Sequence, residues 1–242
     1  MSDINVNIWT LPAAFMLETD LPSEMVVNLN QYLDELLESE ERRSHAGTLV
    51  GQIKHGQQLT MNHEVPELKE FSDLICGLGI EYLKHFGQQT GNMLTGTRKV
   101  EVDELWSVHS FERDYNPIHD HGTKTIMGIS ITTWTKVPQQ ILDQPTAGTP
   151  NYNLYNASGA CDGYLCFQYG KNSLMDVERL CPPQSTSLQP QVGKLYMFPS
   201  WLQHMVYPFE GPGERRTVAA NLNVWDMNRF NENTVARQDI VN

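Results

Sequence analysis

Apolar and polar residues alternate in two rhythms along this chain. In the first third the spacing is helical. Met25, Leu29, Tyr32, Leu33, Leu36 and Leu37 share one face, and Pro22 suits the opening turn. The charged run Glu38-Ser39-Glu40-Glu41-Arg42-Arg43 ends that helix in solvent. A second helix starts near Pro66 and carries Leu68, Phe71, Leu74, Ile75 and Leu78 on one side, with Gly77 and Gly79 weakening its middle. Residues 7–10 read as a strand and residues 48–60 as a strand or hairpin. From about Gly96 the rhythm shortens. Val100-Glu101-Val102 and residues 106–111, 126–134, 163–169, 194–199 and 217–224 are β-branched and aromatic runs. Pro-, Gly-, Ser- and Asn-rich stretches separate them, notably 144–162 and 180–193. The pattern predicts a mainly β protein with some helix, a sandwich or barrel whose outer face is padded by the N-terminal helices. No internal repeat or Gly/Ser linker divides the chain. Residues 1–242 therefore read as one domain, with a mixed helical part at 1–95 and the β core at 96–230.

Composition narrows the function. The 242 residues are 40% hydrophobic and 19% charged, a globular balance. Seventeen Lys and Arg against 29 Asp and Glu give a net charge of −12, which disfavours binding to nucleic-acid backbones. There is no apolar run of about 18 residues, so no membrane span is expected. The N-terminus Met1-Ser2-Asp3-Ile4-Asn5 lacks the basic start and apolar core of a secretory signal. Cys76, Cys161, Cys166 and Cys181 form no CxxC pair, and free thiols in a reducing cytoplasm are expected. The oligomeric state stays open, a homodimer included.

The candidate chemistry begins at His119-Asp120-His121. In an extended strand residues i and i+2 project to one side, so the two imidazoles stand together as a clamp for a first-row metal. A third imidazole, His204, follows the turn Pro199-Ser200-Trp201 and would stand at a strand's rim. Three protein ligands leave coordination positions open, as a catalytic metal requires. Asp120 either faces away from the pair or turns inward at a bulge. His45, His55, His63, His85 and His109 have no comparable partners and read as solvent-exposed or hydrogen-bonded. One strand-and-turn later comes Glu214-Arg215-Arg216-Thr217. Arg215 and Thr217 share a face, and a guanidinium beside a hydroxyl makes a carboxylate clamp, whereas a salt bridge to Glu210 or Glu214 is the plainer use of Arg215. Tyr115, Trp106 and Trp134 serve equally as pocket lining or core.

At these residues the chain resembles a family of 2-oxoglutarate/Fe(II)-dependent oxygenases found in bacteria and phages. The resemblance rests on Asn116 to His121, on Ile126-Met127-Gly128-Ile129, on Gly193 to His204 with its Phe198-Pro199-Ser200-Trp201-Leu202 core, and on Glu214-Arg215-Arg216-Thr217 running to Asn221. It spans about residues 115–223 and is vague in the helical third. It implies a double-stranded β-helix (jelly roll) core, Fe(II) as cofactor, 2-oxoglutarate as cosubstrate, and O2. It further implies that His119, His121 and His204 bind the metal, that Arg215 with Thr217 holds the distal carboxylate of 2-oxoglutarate, and that Asn116 bonds the cosubstrate or a ligand histidine. His121 stands where the wider superfamily has a carboxylate, and Met127 where the family has Ser. The substrate, small-molecule or peptidyl, is not legible. Two other readings stay open: a cupin-type three-histidine dioxygenase or isomerase working without 2-oxoglutarate, and a non-enzymatic binding module.

Overall fold

A computed structural model of the chain describes residues 14–143 apart from 90, 92, 93 and 95, together with 161–169 and 185–228. The expected strand at 7–10, Cys181, most of the loop at 144–162 and the first part of that at 180–193 lie outside the described residues; the rest of the latter is not all loop, since it contains the strand Ser185–Leu188. The elements run β1 (Leu17–Asp20), α1 (Ser23–Glu38), β2 (Gln57–Thr60), α2 (Pro66–Gln89), β3 (Arg98–Ser110), β4 (Asn116–His119), β5 (Met127–Lys136), α3 (Gln139–Leu142), β6 (Leu165–Gln168), β7 (Ser185–Leu188), β8 (Lys194–Pro199), β9 (Gln203–Val206) and β10 (Arg215–Asp226).

Two antiparallel sheets face each other. The larger has the order β1-β8-β5-β10-β3-β2, the smaller β4-β9-β6-β7. This is the jelly-roll core, with α1 and α2 on the outer face of the larger sheet. Strand alternation creates two interiors. Val218, Ala220, Leu222 and Val224 of β10 join Leu29 and Leu33 of α1 and Leu68, Phe71 and Ile75 of α2 in the main apolar cluster. The opposite face looks into the sandwich, where Trp134, Leu165, Phe167, Tyr196, Phe198 and Leu202 form a second cluster.

Several elements differ from the sequence expectation, each for a physical reason. The runs 100–102 and 106–111 are parts of one strand, β3. The register between β3 and β10 shifts between Asn221 and Leu222, so Asp103 is an extra residue that interrupts the alternation. The 48–60 segment is a strand only at β2. Its remainder is a short 3-10 turn and irregular chain pinned by bridges Ser44–Leu59 and Gln52–Tyr115. Gly77 and Gly79 do not break α2. Gly79 is buried, and a Cβ there would stand 2.9 Å from Val100 Cγ1, so glycine is what lets helix and sheet approach. No described helix is long and apolar enough to cross a membrane.

Candidate metal centre and anion pocket

Strand pairing assembles the histidines. β4 pairs with β9 so that His119 lies opposite His204, while Phe167 of β6 flanks His204 from the other side. His121 sits two residues past His119, and its backbone N–H donates to Ser200 O at 2.9 Å, which ties the loop after β4 to the turn before β9. One ligand-capable atom from each of His119, His121 and His204 lies within 4.8 Å of the others, and no carboxylate or thiol joins this group among the described residues. Asp120, between the two histidines, is exposed.

Hydrogen bonds settle which nitrogen faces the centre. His119 Nδ1 lies 2.6 Å from Pro117 O, and His204 Nδ1 lies 2.9 Å from Leu202 O. A carbonyl only accepts, so both Nδ1 atoms carry the proton. His121 Nδ1 donates to Asn221 Oδ1 at 2.9 Å, and that oxygen also accepts from Ser130 Oγ at 2.8 Å. With Nδ1 protonated, each Nε2 keeps a bare lone pair. His121 Nε2 is buried with no hydrogen-bond partner. Burial pushes all three imidazoles below their ordinary pKa, His121 to about 4 and His204 to about 3; for His121 and His204 the neighbouring imidazoles push the same way. Three neutral nitrogen donors aimed at one point, with their outer N–H groups held by the protein, fit a divalent first-row ion.

Around this centre the walls are aromatic. Phe198 and Phe167 lie 5.1 and 5.8 Å from His204, ring centre to centre. Trp106 lies 5.4 Å from His121. Trp201 and Ile126, 57% and 87% exposed, belong to the turn before β9 and to the bend just before β5.

Arg215 and Arg216 part company as the alternation requires. Arg216 turns toward α1, where Glu214, Asp34 and the side-chain and backbone oxygens of Asn30 take its donors. Glu214 also accepts from His109 Nδ1 at 2.6 Å. Hence the expected salt bridge to Glu214 belongs to Arg216, and Glu210 pairs with Arg113 instead. Arg215 turns into the sandwich and is 1% exposed. Its Nη1 donates to Gly163 O at 2.9 Å and Tyr207 O at 3.2 Å, and its Nη2 to Ser110 Oγ at 3.1 Å. These acceptors are neutral, and Nε has no partner. Among the described residues no carboxylate lies within 4.0 Å; burial lowers the guanidinium pKa to about 10, against the weaker upward pull of the more distant Asp114. A buried cation of this kind is costly without an anion. Of five donors, Nε–H and one Nη2–H stay uncommitted. Thr217 is half-buried on the same face of β10, and Asn116 is buried on β4 opposite Val206. Neither side chain has a described hydrogen bond.

Sequence reasoning named Asn221 only as part of a strand. Its hold on His121 depends on a cross-sheet contact about 100 residues away, which no local pattern announces. It likewise gave His45 and Glu104 no role at the site.

Residues 104–221 match the profile of a family described as "Putative 2OG-Fe(II) oxygenase". Solved structures with the same fold include a prolyl-4-hydroxylase from Pseudomonas putida, at 12% identity and TM-score 0.52, covering 86% of this chain and 91% of that one. A Trichoplax adhaerens prolyl hydroxylase, solved with a hypoxia inducible factor peptide fragment, matches at 12% identity and TM-score 0.51, covering 89% and 84%. HygX from Streptomyces hygroscopicus, solved with nickel and 2-oxoglutarate, matches at 9% and 0.50, covering 87% and 83%. No curated protein matches this sequence.

Proposed function

We propose that residues 104–221, which match the 2OG-Fe(II) oxygenase profile, form such a domain, and that a small set of side chains runs it. His119, His121 and His204 hold Fe(II) through Nε2. The observation that carries this reading is the orphaned, buried Nε2 of His121 beside two further bare Nε2 atoms. Pro117 O, Asn221 Oδ1 and Leu202 O fix the three rings by accepting their Nδ1–H groups. Arg215 offers Nε–H and Nη2–H side by side to the distal carboxylate of 2-oxoglutarate, a bidentate fit that gives a direct counter-charge to a guanidinium otherwise attracted only by the more distant Asp114. Thr217 Oγ1 and the Asn116 amide complete the polar wall for the cosubstrate.

When bound, iron and 2-oxoglutarate supply an oxidant, made by O2-driven decarboxylation of 2-oxoglutarate to succinate and CO2, that hydroxylates a C–H bond. The chain's own contribution is placement. Neutral imidazoles leave the full charge of the ion to attract the dianionic cosubstrate. Phe167 and Phe198 keep water from the His204 side, and Trp106 does so beside His121. A three-histidine enzyme working without 2-oxoglutarate leaves the idle Nε–H of Arg215 without an acceptor. We read residues 1–242 as one oxygenase-like unit, because α1 and α2 share an apolar cluster with the strands of the larger sheet. The free thiols Cys76, Cys161 and Cys166 support a reducing, cytoplasmic setting.

The test is anaerobic titration of the metal-free protein with Fe(II) and then 2-oxoglutarate. A weak visible charge-transfer band should appear only with both. Iron binding without the band would overturn the assignment of 2-oxoglutarate to this pocket.

A further inference from the structure

Beside the metal centre lies a group of side chains that neither iron nor 2-oxoglutarate uses. Glu104 of β3 stands opposite Asn221 in the β3–β10 register, and Asn221 is the residue that holds His121. Two residues along the same face, Trp106 packs on His121. His45 stacks nearly parallel on Trp106, with ring centres 5.2 Å apart and planes at 11°. Its Nδ1 lies 3.0 Å from Thr60 Oγ1. That hydroxyl can accept as well as donate, and in the tautomer with Nδ1–H donated to it Nε2 is a lone pair. His45 is only 8% exposed and its Nε2 has no hydrogen-bond partner. That nitrogen faces Glu104 Oε2 at 4.0 Å, too far for a hydrogen bond between them.

Two acceptors at that separation flank the place of one donor. We propose that the substrate carries a cationic nitrogen, an ammonium or guanidinium, held between Glu104 Oε2 and His45 Nε2 next to the metal centre. The inference rests on the oxygenase reading and adds the substrate class. Charge agrees with it. Among the described residues no Lys or Arg lies within 4.0 Å of Glu104. Lys124, the cation of the neighbouring loop, is paired with Asp103 at 2.6 Å and attracts Glu104 only at longer range. Burial holds the His45 pKa below its ordinary value, so the imidazole does not neutralise the carboxylate. The Glu104 side chain is 43% exposed, reachable from solvent, whereas His45 is covered. A carboxylate open to solvent, backed by a buried lone pair, is a charge-assisted site for an N–H donor.

The same chemistry arises from a free amine or from a lysine or arginine side chain of a peptide, and the probes separate them. 1,4-Diaminobutane and an uncharged isostere, 1,4-butanediol, are titrated calorimetrically beside the capped peptides Gly-Lys-Gly and Gly-Arg-Gly and their norleucine counterpart. Each titration is run on the metal-free protein and on the anaerobic Fe(II)–2-oxoglutarate complex. At least one cationic probe should bind, its neutral isostere at least tenfold more weakly. Glu104→Gln should weaken the cation at least tenfold while the charge-transfer band persists. His45→Phe, which keeps the stack on Trp106, should weaken it several-fold. Equal binding of cation and isostere, undiminished binding by Glu104→Gln, or no binding of any cationic probe overturns the proposal. Loss of the band in the unaltered protein would instead strike the metal reading, and the metal-free titrations would still decide this one.

Discussion

The two faces of β10 were built from the same twelve residues to opposite ends. Toward the helices run Arg216, Val218, Ala220, Leu222 and Val224. This face is finished: its apolar members are fully packed and its one cation is surrounded by Glu214, Asp34 and Asn30. Toward the smaller sheet run Arg215, Thr217, Ala219 and Asn221. This face is unfinished: its cation has only neutral acceptors and an idle Nε, and its amide is committed to a histidine whose other nitrogen is idle. Adjacent arginines show that the difference does not lie in residue type. A saturated polar group contributes to stability, and on this face the unsaturated ones converge where a ligand would sit.

Breaking the unfinished face at its centre should have the largest effect. His204→Ala removes one of three donors and should lower Fe(II) affinity by more than about 100-fold, beyond the loss typical of changes around the ligands. Anaerobic iron titration measures it. The paired arginines then separate the two faces. Arg215→Ala should weaken 2-oxoglutarate by about 30- to 100-fold, the worth of a charge-assisted bidentate contact, with iron binding nearly intact. Arg216→Ala should leave 2-oxoglutarate affinity unchanged and cost about 1–2 kcal/mol of stability, since partly buried Glu214 loses its bidentate partner but keeps His109 and Lys136, while Asp34 is half in solvent. Thermal melts and cosubstrate titrations on both variants check this. Equal loss of iron and 2-oxoglutarate in Arg215→Ala would mean collapse of the pocket.

Asn221→Ala comes next. It frees the His121 ring and strands its Nδ1–H, and should cost roughly 10-fold in iron affinity. The pH dependence of the metal-free protein probes both faces together. His121 and His204 titrate near 4 and 3 when folded, below the ordinary histidine value of 6.5, so the unfolded chain binds more protons between those limits. Glu214 is held at about 2 through its bonds to His109 and Arg216, against an ordinary 4.5. Both shifts make stability rise with pH, in full above about 6.5 for the histidines and above 4.5 for Glu214, and fall as acid is added. Melting temperature should drop from pH 7 to pH 4, and His204→Ala should remove one proton's worth of that slope. Smallest of all, Asp120→Asn should leave iron affinity within about twofold, because that carboxylate is exposed and outside the histidine group.

What the chain disclosed in advance follows from the range of its interactions. The period-two rule placed His119 with His121 and set Arg215 apart from Arg216, because both relations are local. The main helices and the long strands were legible from apolar spacing. β1 and β7 were not: Leu17-Glu18-Thr19-Asp20 and Ser185-Thr186-Ser187-Leu188 are short edge strands with no apolar alternation to mark them. Asp103 hid the continuity of β3. The bonds from Asn221 to His121 and from His45 across Trp106 join distant segments, so neither leaves a trace in local sequence.

One detail of the smaller sheet has a mechanical side. β4 meets β9 at only two matched positions, Asn116 with Val206 and His119 with His204, with an irregularity between them. An ion gripped by those facing histidines therefore acts as a rivet through the thinnest seam of the sandwich. Loading it should slow hydrogen exchange along β4 and β9 and leave the broad, well-laddered β3–β10–β5 region untouched.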